Sequence, residues 1–411
     1  MNGLDELRRS LAGDVLVESD TEYDLARRSF NAGIDRRPAA IARCRGAADV
    51  ATAFDFARTN RLEIAVRGGG HNPAGHCVLD GGLVIDLTLM RYVAVEPEAR
   101  IARAEGGATW LDFDTAVQAH GLVTPVVTPD GTVVEAREDE NEELLWGLRG
   151  GGGNFGVATR LDFRLHALDR VVGGALVVRG EGPAREAVRR YRDLVAASPR
   201  DLSCQVVLGT DASVTPVAMV LPCFTGTNDG GPVDVLRTLD GVVEDSLREL
   251  SFLDQQRVID SPYGENRHYW KGHFVRELPD ELIDDLVGRL TTLGRPPGGV
   301  LIESLHGAPK DADPGGAVVG FRNAAFNVSA LGIWQDPALD AEHIGWTREA
   351  AAGLEPWSAT GGGYVNYMQA DEPIERVRAA FGDESFARLQ ALKRRYDPEN
   401  VLRRNQNVPP A

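Results

Sequence analysis

Two glycine runs constrain this chain more than any other feature. The first, Arg67-Gly68-Gly69-Gly70-His71, follows a strand-like stretch at residues 62–66. The second, Arg149-Gly150-Gly151-Gly152-Gly153-Asn154-Phe155-Gly156-Val157, leads into residues 157–165, which alternate like a strand. Consecutive glycines beside a strand leave backbone N–H groups pointing outward, and no Cβ blocks the close approach of a ligand. Taken singly, the first run is slightly better read as a tight surface turn with an exposed His71. The second is also readable as a helix C-cap and turn, but a cap needs one glycine, not four. Together, two such runs suggest a large flat ligand lying against backbone. Asn154 adds an amide that both donates and accepts. The first run is not GxGxxG and does not open directly into a helix, so a Rossmann fingerprint fits poorly, and no GxxxxGK[ST] is present.

The rest of the chain sorts into two textures. In the first third strands and helices alternate. Residues 47–60 and 109–120 carry apolar residues at helical spacing, with Thr109 as an N-cap, and 82–87 and 101–105 read as strands. Residues 126–134 flank Pro129-Asp130-Gly131 with β-branched runs, which predicts a hairpin. Residues 139–148 predict a helix with an acidic first turn. Beyond Leu168, strand-like runs at 203–208, 213–221, 300–305 and 324–333 accompany amphipathic helices at 183–197 and 280–293. That grouping predicts an α+β lobe with an antiparallel sheet. Helices are also expected at 374–380 and 386–396. A chain of 411 residues exceeds one ordinary core, so two domains are expected.

Charge and cysteine content exclude several functions. A net charge of -17 repels nucleic-acid phosphates and anionic lipid, so neither is expected as a partner. Cys44, Cys77, Cys204 and Cys223 form no CxxC pair, so no metal site and no disulfide framework is expected. Residues 1–14 are polar and no stretch approaches the ~20 apolar residues of a membrane helix, so a soluble, cytoplasmic protein is expected.

Residues 66–75, 80–87, 141–157, 364–367 and 396–410 resemble, in order and over nearly the whole chain, the berberine-bridge-enzyme-like FAD-linked oxidases. These belong to the vanillyl-alcohol-oxidase superfamily. The resemblance implies a PCMH-type FAD-binding domain of two subdomains at 1–168 and an α+β substrate domain at 169–360. A C-terminal segment at 361–411 would return to the FAD domain. It further implies that Arg67, Gly68, Gly69 and Gly70 hold the FAD diphosphate and that His71 is bonded covalently to the flavin 8α-methyl. Gly75 would pass close to the cofactor, with Asn154, Phe155, Gly156 and Val157 near the isoalloxazine. Tyr364 and Asn366 match the family's Tyr-x-Asn, and Asn405 and Asn407 its closing Asn-Gln-Asn. One departure is large: Leu122-Val123-Thr124-Pro125 joins directly to Val126, where relatives carry a few dozen residues covering the diphosphate and adenosine. Members with a second, cysteinyl flavin bond carry that cysteine in the same segment. Cys77 is not at that position, so no cysteinyl link is expected.

The implied reaction is oxidation of a small-molecule substrate — an alcohol, sugar or secondary metabolite — with dioxygen as acceptor. Tyr364 is the implied base. A tyrosine of pKa ~10 needs a nearby cation or a polarising hydrogen bond for that role. Packing of Tyr364 on the flavin edge is an equal alternative. Tyr367 reads as core. His268-Tyr269-Trp270-Lys271 reads as a strand whose aromatics either line the pocket or simply pack. A second reading of the whole chain is a non-catalytic remnant that lost the cofactor with its missing segment.

Overall fold

Four short strands organise the first glycine run. They are β1 (Asp14–Leu16), β2 (Ala40–Arg43), β3 (Ile64–Arg67) and β4 (Leu83–Asp86), in the order β1-β2-β4-β3. β1 pairs antiparallel with β2, and β4 runs parallel to both β2 and β3. The helix Ala47–Asn60 connects β2 to β3 and buries Val50, Ala53, Phe54 and Ala57. These pack with Ala40, Ala42, Ile64, Leu83 and Ile85. β2 reads Ala-Ile-Ala-Arg. Alanine is a weak strand former, so only burial makes this segment a strand.

A computed structural model describes residues 3–116, 124–168, 170–198, 200–226, 231–260, 264–307, 315–318 and 320–411. The chain divides into two units. Unit 1 comprises Met1–Ala167, Asp313–Val319 and Phe381–Ala411, and unit 2 comprises Leu168–Ala312 and Gly320–Ala380.

Unit 1 continues with β5 (Val93–Glu96), β6 (Ile101–Glu105), β7 (Thr124–Val127), β8 (Val133–Ala136), β9 (Val157–Ala158) and β10 (Arg160–Arg164). They form two antiparallel three-stranded sheets, β10-β6-β5 and β8-β7-β9. The predicted hairpin is β7–β8, closed by Thr128 N–H to Thr132 C=O at 3.0 Å, with Gly131 at φ 85°. The single strand expected at 157–165 is two. Thr159 interrupts it, giving its carbonyl to Gly106 N–H at 3.0 Å. A Cβ on Gly106 would lie 1.9 Å from the Ala158 oxygen, so this close crossing requires glycine. The helix Trp110–Ala116 opens on a reciprocal cap. Asp112 N–H donates to Thr109 Oγ1 at 3.3 Å, and Thr109 N–H donates to Asp112 Oδ2 at 2.8 Å. The expected extension of this helix to His120, and the start of the junction at Leu122-Val123, lie outside the described residues.

Unit 2 is one nine-stranded antiparallel sheet. Its strands are β11 (Arg170–Gly173), β12 (Leu176–Arg179), β13 (Leu202–Thr210), β14 (Pro216–Phe224), β15 (Val242–Asp245), β16 (Arg248–Ser251), β17 (Arg267–Val275), β18 (Gly298–Ser304) and β19 (Phe326–Trp334). The central order is β15-β12-β14-β13-β18-β19-β17. Val206, Val220, Val300, Ile302, Val328 and Ala330 share one core with Tyr191 of the helix Glu181–Ala197 and Leu282 and Leu286 of the helix Asp280–Arg289. Side chains alternate along a strand, so Gln205, Trp270, Leu301, Glu303, Asn327 and Ser329 belong to the opposite face. The α+β class with an antiparallel second sheet is the one the sequence implied. No described helix is long and apolar enough to cross a membrane.

Candidate functional site

The two glycine runs, about eighty residues apart in sequence, line one cavity of about 540 Å³ in unit 1. Gly68 enters from the end of β3. Gly152, Gly153, Gly156 and Val157 enter from the second run, and Gly106 from the crossing beside Thr159. The remaining wall is largely apolar, with Val66, Leu87, Leu145, Leu148 and Leu161. The size is that of a small-molecule site. A Cβ on Gly153 would meet nothing within 4 Å, and its φ is not positive, so neither packing nor backbone conformation explains this glycine, whereas Gly152 has φ 68°, which favours glycine. Gly153→Leu is therefore expected to leave the stability of the protein nearly unchanged, within about 0.5 kcal/mol. It should nonetheless lower retained flavin several-fold, read from the ratio of visible to ultraviolet absorbance. Unchanged flavin content would remove the cavity from consideration as the cofactor site.

Asn154 and Phe155 are buried beneath the cavity wall, not on it. The Asn154 amide donates to Gly151 C=O at 2.9 Å and accepts from Val408 N–H at 3.0 Å. Its backbone carbonyl accepts from Lys393 Nζ at 2.8 Å. Lys393 is fully buried, is paired with Asp397 at 2.7 Å, and also donates to Leu402 C=O at 2.8 Å. Asp397 in turn accepts from the N–H groups of Val401 and Leu402 at 2.8 and 2.9 Å. A buried ion pair thus nails the C-terminal segment to the second glycine run, an arrangement that sequence spacing alone does not reveal. Asn405 donates to Gly153 C=O at 3.0 Å. The Oδ1 atoms of Asn405 and Asn407 are buried with no hydrogen-bond partner among the described residues.

The first run is less uniform. Arg67 is buried and donates through Nη1 to the Arg28 carbonyl, and it is not part of the cavity wall. Gly70 has φ 72° and accepts from Phe30 N–H at 3.1 Å. A Cβ on Gly69 would face Thr109 and His71 at van der Waals distance. His71 is exposed at its surface, with its ring centroid 5.9 Å from that of Phe30. Surrounding atoms, and then Arg67, hold its pKa below the ordinary histidine value, so the imidazole is neutral at pH 7. Gly75 closes a turn at φ 67°, where a Cβ would lie 2.7 Å from Ile34.

Unit 2 presents a second cluster, on the sheet face away from the helices. Asn366 Nδ2 donates to the Tyr364 hydroxyl at 2.7 Å. Burial raises the Tyr364 pKa, the Asn366 bond lowers it, and nearby Glu303 raises it again, for a net upward shift. Tyr367 packs edge-on against Tyr364 and Trp270, at centroid distances of 4.9 and 5.3 Å, and offers its hydroxyl to Glu303 Oε1 at 3.4 Å. Asn327 Nδ2 donates to Glu303 Oε2 at 2.7 Å. Burial raises the Glu303 pKa against these two bonds. The strand reading of residues 300–305 passed over Glu303. The signal is a lone carboxylate within Gly-Gly-Val-Leu-Ile-Glu-Ser, at the period-two position opposite Ile302.

A family model described as an FAD binding domain matches residues 38–136, and one described as berberine and berberine like matches residues 363–409. (R)-6-hydroxynicotine oxidase of Paenarthrobacter nicotinovorans is 28% identical over 449 positions, covering 98% of this chain and 97% of its own. An alignment of 449 positions on a chain of 411 leaves at least 38 positions with no residue of this chain. An FAD-linked oxidoreductase of Dictyostelium discoideum is 23% identical, covering 99% of this chain and 97% of its own. The crystal structure of 6-hydroxy-D-nicotine oxidase from Arthrobacter nicotinovorans superposes with a TM-score of 0.87 at 26% identity, covering 98% and 99% of the two chains. Berberine bridge enzyme from Eschscholzia californica shares the fold, with a TM-score of 0.85 at 17% identity over 99% of each chain. The chain thus carries an FAD binding domain and a berberine-like C-terminal segment, and over nearly its whole length it resembles FAD-linked oxidoreductases in sequence and fold.

Proposed function

We propose that unit 1 holds FAD against its two glycine runs, covalently through His71, and that the polar sheet face of unit 2 binds and deprotonates a small-molecule substrate. The observation that carries this reading is the cavity where Gly68 meets Gly152, Gly153 and Gly156. A wall of glycine backbone and apolar side chains suits a flat ring. The buried Oδ1 atoms of Asn405 and Asn407, which have no partner among the described residues, suit its N–H or O–H donors, since an unmet buried acceptor costs about 1–3 kcal/mol. Arg67, Gly69, Gly70 and Gly75 shape the turn that carries His71, while Asn154 and Phe155 support Gly156 and Val157 from below. When bound, the flavin supplies a hydride acceptor, with dioxygen as the final oxidant.

The remaining chemistry belongs to the protein. Glu303 accepts the substrate proton at its carboxylate, because it is ionised at lower pH than either neighbouring phenol. Tyr364, held by Asn366, orients the substrate. The substrate is an alcohol, a sugar or a secondary metabolite; the 28% relative's name adds a hydroxylated pyridine amine to the compounds worth testing. The protein purified with added FAD is expected to be yellow and to keep its colour after acid precipitation, while His71→Ala loses all acid-stable flavin. Acid-stable flavin in His71→Ala would move the bond elsewhere. A colourless protein that FAD cannot reconstitute would favour the remnant reading.

A further inference from the structure

Asn327 is an amide where the strand pattern calls for an apolar residue. It sits in β19 directly opposite Glu303 of β18 and is 2% exposed. Its Nδ2 donates to Glu303 Oε2 at 2.7 Å, while its own Oδ1 is buried with no partner among the described residues. A half-satisfied buried amide is worse for stability than a leucine of similar volume. Packing therefore does not explain this residue, and its single strong hydrogen bond does. Turned over, the amide would set its oxygen against the carboxylate, an arrangement tolerated only when Glu303 carries a proton.

We infer that Asn327 is a positioning residue: its amide fixes the orientation of the Glu303 carboxylate and stabilises the charged form that accepts a proton. The other groups around Glu303 do less for that charge. Tyr367 reaches Oε1 at 3.4 Å, and Tyr364 is directed to Asn366. Gln205 is the cross-strand neighbour on β13. Tyr191, on the helix Glu181–Ala197, is directed to the Ile302 carbonyl at 3.4 Å. The inference rests on Glu303 being the proton acceptor, so its test is kept separate from turnover.

The experiment is a pH titration of the whole flavin-loaded protein followed by infrared difference spectroscopy. The Glu303 carboxyl band is identified by its absence in Glu303→Gln. Removing a hydrogen bond to the charged form should raise the midpoint of that band by about one unit or more in Asn327→Leu. Asn327→Asp puts a second carboxyl beside the first and should raise it at least as far. It serves as the reading if the leucine variant does not fold. Flavin content should match the unaltered protein in both. A midpoint within about 0.3 unit of the unaltered protein in a folded variant overturns the inference. The proton-acceptor reading is judged on a different result: full flavin reduction by substrate in Glu303→Gln overturns it and leaves the band midpoints untouched.

Discussion

Lys393→Met should destabilise unit 1 by about 3–5 kcal/mol. For a unit of this size that lowers the melting midpoint by on the order of 10 °C. Lys393 and Asp397 are 0% and 1% exposed at the side chain, so neither charge is relieved by water. Burial alone depresses the lysine pKa, and Asp397 opposes that shift. Methionine fills the space but leaves Asp397 charged and buried, with only the N–H groups of Val401 and Leu402 for compensation. It also removes the donor to the carbonyls of Asn154 and Leu402. The double variant Lys393→Met, Asp397→Asn should recover part of the loss, because an amide keeps an acceptor for those N–H groups without a net charge. Calorimetry on all three proteins decides the matter. A loss below about 1 kcal/mol in Lys393→Met would mean that the pair is dispensable. Because Asn154 ties the second glycine run to residues 406–408, retained flavin should fall together with stability.

That anchor marks the limit of what the sequence discloses. Glycine runs, the helix at residues 47–60 and the hairpin around Pro129-Asp130-Gly131 follow from local rules, and the structure contains each of them. The meeting of Gly68 with Gly152 and Gly153 in one cavity needs long-range pairing that no local pattern encodes. Thr159 breaks an unbroken alternating run because β9 and β10 serve different sheets, which only the register with β7 and β6 decides. The helix Asp340–Ala352 is illegible for another reason. Its buried face is His343, Trp346, Thr347, Ala350 and Ala351, of which two are polar, so no apolar stripe announces it. Glu303 shares this character, because a single charged residue in an apolar segment reads as surface until its partner is known. Lys393 is hidden differently, as the first of three consecutive basic residues at the end of the helix Asp383–Tyr396.

Glu303→Gln should lower kcat/KM by about 10²–10⁴-fold while leaving flavin content unchanged. The pH profile then separates Glu303 from Tyr364 as the proton acceptor. A base works only when deprotonated, so the rate rises with pH through the pKa of whichever group serves. Glutamate titrates ordinarily near 4.3, and burial moves Glu303 upward from there. The acidic limb of kcat/KM should therefore lie above the ordinary glutamate range, with a plateau before alkaline pH. Tyr364 starts near 10 and is also pushed upward, so a tyrosine base would give a rate still climbing at alkaline pH. If, as proposed, the hydroxyl orients the substrate and Glu303 takes the proton, Tyr364→Phe should raise KM more than it lowers kcat and should keep the acidic limb in place. The opposite pair of results, loss of the limb in Tyr364→Phe and its survival in Glu303→Gln, would return the proton to the phenol. In that case Asn366, whose amide donates to the Tyr364 oxygen and favours the phenolate, would be the group that makes the phenol usable.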